Sequence, residues 1–82
     1  MDDKERERCK NWIRGHVFRH SRKQNDAYVL KHMFQKMENI YCRVEEFQEV
    51  MRECGYEVAD GKRAVFYVVV DPQVLQKCFG RR

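Results

Sequence analysis

Phe47-Gln48-Glu49-Val50-Met51-Arg52-Glu53-Cys54-Gly55-Tyr56-Glu57-Val58 is the stretch in which the pattern of the chain changes. Before Gly55 the apolar residues Val44, Phe47, Val50, Met51 and Cys54 recur every three or four positions, as one stripe of an α-helix requires. Glycine just past that stripe is the residue that most easily takes the left-handed conformation ending a helix. Beyond it, Tyr56-Glu57-Val58 alternates, Asp60-Gly61 has turn chemistry, and Ala64 to Val70 is β-branched and aromatic. These features predict a β-hairpin over residues 56–70.

Working outward, the helix that ends at Cys54 is expected to start at Arg43, after a short β-prone step, Ile40-Tyr41-Cys42, that would pair with the hairpin as a third strand. A preceding helix is expected from a cap at Asn25 or Asp26 to about Glu38, with Asn39 closing it. Its apolar set is Ala27, Leu30, Met33, Phe34 and Met37, while Lys31, Gln35 and Lys36 point away. Between Lys4 and His20, the residues Cys9, Trp12, Ile13 and Val17 define another amphipathic helix. Gly15 within it costs about 1 kcal/mol relative to alanine, so it marks a close contact or an early helix end. After Asp71, Pro72 suits the first turn of a short helix bearing Val74, Leu75, Cys78 and Phe79, with a charged tail Gly80-Arg81-Arg82.

Helix, helix, short strand, helix, hairpin and terminal helix predict an α+β fold of winged helix-turn-helix type, with a three-helix core, a β-hairpin wing and a short C-terminal helix. The 82 residues allow one domain, because so short a chain buries only roughly 60% of its unfolded surface. Within it, residues 1–25 form a basic helix and linker, 26–55 the helix-turn-helix, 56–70 the wing, and 71–82 the terminal helix and tail. An apolar share of 43% is enough to build a core, so the 37% of charged residues are expected at the surface. The longest apolar run, Ala64 to Val70, is far shorter than the roughly 20 residues of a membrane-spanning helix, and Met1-Asp2-Asp3-Lys4-Glu5 is acidic where a secretory signal is basic. The expectation is a soluble cytoplasmic protein, with Cys9, Cys42, Cys54 and Cys78 as free, mostly buried thiols.

The segment Asp26-Ala27-Tyr28-Val29-Leu30-Lys31-His32-Met33-Phe34, followed by Ile40-Tyr41, Glu46-Phe47, Met51 and Gly55-Tyr56-Glu57-Val58, resembles small, largely uncharacterised winged-helix-like proteins of bacterial phages, plasmids and integrative elements. The resemblance spans Asp26 to about Val70. It implies a winged-helix module and leaves the activity open, since one fold hosts many roles.

Charge distribution points to a partner. Residues 1–25 carry eight Lys/Arg against four Asp/Glu, with Arg14, Arg19, Arg22 and Lys23 late in the stretch. Such a cluster attracts nucleic acid through counterion release, although a solvated face explains the same residues. In helix-turn-helix proteins the second helix enters the major groove, so Arg43, Gln48 and Arg52 are the expected base-reading edge. Lys62 and Arg63 at the wing tip, with Arg22 and Lys23, are the expected phosphate contacts. Against this, Arg43, Glu45, Glu46, Gln48, Glu49, Arg52 and Glu53 on that helix sum to −2, which repels a phosphate-lined groove.

Other constellations are thin. His16 and His20, four apart on the expected first helix, can direct two imidazoles at one metal ion, but two ligands make no site. There is no CxxC, glycine-rich phosphate loop or nucleophile elbow, so no enzyme activity, metal, cofactor or small-molecule substrate is expected. Trp12, Phe34, Phe47, Phe66 and Tyr67 read as core, whereas Phe18 and Tyr28 fall off the apolar stripes and suit a partner contact. His32 is expected at the core margin. Ala64 to Val70 is apolar on both faces, so the terminal helix or a second subunit should cover its outer side. The sequence thus predicts a non-enzymatic DNA-binding or regulatory accessory protein of a mobile element. The alternative is a protein-interaction or dimerisation module on the same fold.

Overall fold

The computed structural model describes residues 1–58 and 65–79. The first helix, α1 (Asp3–His16), starts with a reciprocal cap: Glu5 N–H donates to Asp2 Oδ1 at 2.8 Å and Asp2 N–H to Glu5 Oε1 at 3.2 Å. Acidic side chains in its first turn and Arg14 and His16 in its last complement the helix dipole. It buries Cys9, Trp12 and Ile13 and stops four residues before the expected His20. Tertiary pairing overrides the helical period there. Val17 turns to extended backbone, and the His16 carbonyl accepts from Asp71 N–H at 2.7 Å.

The chain then runs as β1 (Val17–Arg19) and β2 (Asn25–Asp26), both antiparallel to β3 (Val65–Phe66) and β4 (Val68–Val70). Val17 pairs with Val70, Phe18 with Val69 and Arg19 with Val68, while Asn25 pairs with Phe66 and Asp26 with Val65. Segment 17–26 thus lies along segment 65–70 as a two-stranded antiparallel arrangement, with residues 20–24 looped out. Two bonds close the base of that loop, His20 N–H to the Tyr67 carbonyl and Asn25 Nδ2 to the Val68 carbonyl, both at 2.9 Å.

This pairing corrects two expectations. Tyr56-Glu57-Val58 is not a strand, because Tyr56 is committed elsewhere: its N–H donates to the Met51 carbonyl and its hydroxyl to the Val17 carbonyl. Ile40-Tyr41-Cys42 is not a strand either. Ile40 and Cys42 are buried, and Cys42 N–H is satisfied by Gln35 Oε1 at 3.3 Å rather than by a ladder. The expected wing tip, Asp60-Gly61-Lys62-Arg63, lies outside the described residues.

Helix α2 (Ala27–Glu38) is capped by Asp26, whose Oδ1 accepts from Val29 N–H at 2.8 Å, and it ends at Asn39 in the left-handed region, φ 56°. Helix α3 (Val44–Glu53) buries Phe47, Val50 and Met51. Glu46 Oε1 reaches back to the Arg43 N–H at 2.9 Å, half of a capping box. Helix α4 (Pro72–Phe79) buries Val74 and packs on α2, where Lys36 Nζ donates to the Cys78 carbonyl at 3.2 Å. It therefore does not take the place on the outer sheet face that its apolar residues suggested. No described helix is long and apolar enough to cross a membrane.

At the centre, Trp12, Phe34 and Phe47 bring one ring from each of the first three helices together, with centroids 5.6, 6.1 and 6.3 Å apart. Each pair contributes about 0.5–1.5 kcal/mol beyond simple burial. Trp12 Nε1 finds its acceptor in Met37 Sδ at 3.3 Å.

Two glycines give opposite outcomes. A Cβ at Gly15 would meet nothing within 4 Å, so Gly15→Ala should stabilise the protein by about 0.5–1 kcal/mol. Gly55 sits at φ +94° with Arg19 Nη2 3.2 Å from the Cβ position, so Gly55→Ala should destabilise by about 1–2 kcal/mol. Denaturant melts of both variants read these signs directly.

Candidate nucleic-acid interface

Helices α2 and α3 are joined by Asn39 to Arg43, and Arg43 stands exposed at the start of α3. Arg52, also exposed, and half-buried Gln48 lie one turn apart on the same helix and share an edge, whereas Arg43, the N-cap residue, lies away from them beside a recess bordered by Glu45, Glu46 and Glu49. Three of the four acidic residues of α3 turn toward α1 or the N-terminus. Glu49 lies 3.6 Å from Arg6, Glu53 pairs with Arg6 and, at 3.1 Å, with Lys10, and Glu46 Oε2 accepts from the Met1 α-amino group at 2.7 Å. Such solvent-screened pairs add little to stability. Their larger effect is on the local field. With Glu46, Glu49 and Glu53 matched to α1 and the N-terminus, the α3 residues outside these pairs, Arg43, Glu45, Gln48 and Arg52, sum to +1 rather than −2.

The carboxylates register these partners. Glu46 is held below the usual carboxylate value first by the Arg43 backbone N–H and then by the Met1 amino group. Glu53 is held down chiefly by its hydrogen bond from Lys10, with Arg6 adding to it.

Arg22 and Lys23 project from the 20–24 loop, both exposed. Their backbone N–H groups donate to His20 Nδ1 at 3.0 and 3.1 Å, so the imidazole folds the loop around an unprotonated nitrogen. This use of His20 corrects the idea of two imidazoles four apart on a helix. His16 ends α1, and its Nδ1 lies 3.7 Å from Asp71 Oδ2 without a hydrogen bond. Among the described residues, no group of three or more His, Cys, Asp or Glu is placed to hold a metal ion.

The loop adjoins the far end of α3. Arg19 Nη2 donates to the Gly55 carbonyl at 2.8 Å and its guanidinium lies 4.9 Å from the Tyr56 ring centroid. Arg19, His20, Ser21, Gly55, Tyr56 and Tyr67 border a shallow cleft of about 420 Å³ between them. The structure therefore brings the base of the Arg22–Lys23 loop to the Arg52 end of the reading edge. Lys62 and Arg63 lie outside the described residues.

All four cysteines are free, and burial raises each thiol above its ordinary value, most strongly Cys9. They stay protonated and are poor nucleophiles. Phe18 and Tyr28 are exposed, as their positions off the stripes implied, but Tyr67, expected in the core, is exposed beside them on the alternation of Phe66 and Val68 inward. Sequence reasoning missed Tyr41, the most exposed large apolar residue at 75%. Its alternation with buried Ile40 and Cys42 was the available signal. No family model, curated protein or solved structure matches the chain.

Because Glu46 and Glu53 have depressed values when folded, their stabilisation is present above the unfolded carboxylate value of about 4.5 and is lost as pH falls through the folded values. A Glu46→Gln, Glu53→Gln variant should therefore melt below wild type near neutral pH and converge on it in acid. Thermal melts across that range check the crossover, and a constant gap would contradict it.

Proposed function

We propose that this chain is a non-enzymatic, intracellular DNA-binding or regulatory accessory module of winged-helix type, of the kind carried by bacterial mobile elements. Support for the architecture comes from the order helix, strand, helix, helix, strand, with the strand after α1 antiparallel to the strand after α3. The observation that carries the function is the partition of charge on α3. Three of its four outward carboxylates face cations of α1 or the N-terminus, which leaves Gln48 and Arg52 on one open edge and Arg43 at the helix start. In this reading that edge enters the major groove. Arg22 and Lys23 lie on phosphate, as do Lys62 and Arg63.

Titration of a labelled duplex by fluorescence anisotropy at about 50 and 200 mM salt tests the reading, because each lost phosphate contact lowers the salt slope by about 0.9. Arg22→Ala, Lys23→Ala should reduce the slope by nearly two, and Lys62→Ala, Arg63→Ala by a similar amount. Arg52→Ala should weaken binding of a preferred sequence by about 1–3 kcal/mol. No affinity at low salt would rule the reading out.

A second reading rests on the outer sheet face. Phe18 and Tyr67 are 47% and 45% exposed there, beside half-buried Val69, while α4 lies on α2. Such a face suits a protein partner or a second copy of the chain. Sedimentation equilibrium of wild type and Phe18→Ser, Tyr67→Ser distinguishes the two readings. A concentration-dependent dimer lost in the variant favours an interaction module, and a monomer at every concentration removes self-association.

A further inference from the structure

The residue expected to point away from the core of α2, Lys31, is the one charged residue buried among the described residues, at 7% exposure. Its stem lies against the core and its ammonium comes up between two exposed aromatic rings, 5.4 Å from the Tyr28 centroid and 5.7 Å from the Tyr41 centroid. Nζ makes one hydrogen bond, to Gln35 Oε1 at 3.0 Å, and that oxygen also serves the Cys42 N–H. None of the ion pairs among the described residues involves Lys31. An ammonium has three donors, so two are left without an acceptor among the described residues, and the π faces supply only part of a counter-charge. A buried cation this incompletely matched is costly to keep unless an anion completes it.

We propose that Lys31, walled by Tyr28 and Tyr41, is a site for a phosphate group, and that the group it takes is one backbone phosphate of the duplex flanking the α3 edge. The second half of this inference rests on the DNA-binding reading above. Tyr41 connects the two regions. It borders one recess with His32, Gln35 and Lys36 and another with Met1, Arg43 and the carboxylates Glu45, Glu46 and Glu49, so the site adjoins the start of α3 at Arg43. His32 braces the Tyr28 wall edge-on, with ring centroids 4.4 Å apart. Lysine binds phosphate as a point charge.

Two measurements test the proposal. Inorganic phosphate replacing chloride at constant ionic strength should shift the backbone amide resonances of Tyr28 to Arg43 saturably in wild type, and Lys31→Met, which keeps the stem, should abolish the shifts. Absence of saturable shifts in wild type overturns the site. In the duplex titration, Lys31→Met should lower the salt slope by about 0.9 and weaken low-salt binding roughly five- to tenfold. Tyr41→Ala, at a position too exposed to hold up the fold, should weaken it about threefold. Duplex binding by wild type with an unchanged slope in Lys31→Met overturns the inference and leaves the DNA-binding reading standing. Phosphate shifts without any duplex affinity do the reverse, upholding the anion site and removing the duplex as its source.

Discussion

The contact among Trp12, Phe34 and Phe47 is the constraint from which the remaining arrangement follows. Each ring comes from a different helix, and all three are buried, so the helices can meet only with these faces inward. In a chain of 82 residues one small core must fix three helix directions, and Ile13, Leu30, Met33 and Met51 are buried in it with the rings. Trp12 adds a directional demand, since its buried N–H needs an acceptor and takes it from Met37 near the end of α2. Once the rings are placed, His16 emerges where segment 65–70 can run alongside, and extended backbone replaces further helix.

The same packing sorts the charges. Setting α1 against α3 puts Arg6 and Lys10 opposite Glu49 and Glu53, so residues that look like a general surplus of both signs along the chain become matched at one seam. A summed charge along a helix says little about the field on any one face. The −2 of α3 is such a sum, and it reverses sign when the neighbour is included.

Much of the helical layer was legible in the sequence. The stripes Cys9-Trp12-Ile13, Ala27-Leu30-Met33-Phe34 and Phe47-Val50-Met51 are the buried faces, and Asp26, Asn39 and Gly55 mark ends because their local chemistry does. Strand partners were not legible. Val17-Phe18-Arg19 continues a helical period, and only the distant segment 65–70, which offers carbonyls and amides in the right register, turns it into a strand. Tyr56 reads as a strand residue by alternation, yet its hydroxyl has a long-range acceptor at Val17 that no local pattern reveals. Of the candidate site, Gln48 and Arg52 share an edge as their spacing implies, whereas Arg43 caps the helix away from them. Lys31 was misplaced because a long aliphatic stem can follow an apolar stripe and be buried with it.

The pairing of Val17 with Val70 has a kinetic meaning as well. Nearly the whole chain must exist before the first strand has anything to bond to, whereas the three-helix contact needs only what precedes Gly55. During synthesis the helical layer can gather first, leaving Val17 to Asp26 with unmet backbone groups until the last stretch emerges from the ribosome. Its sequence separation makes this pairing the costlier one to close, and the loop bearing Arg22 and Lys23 takes its shape only when it is complete.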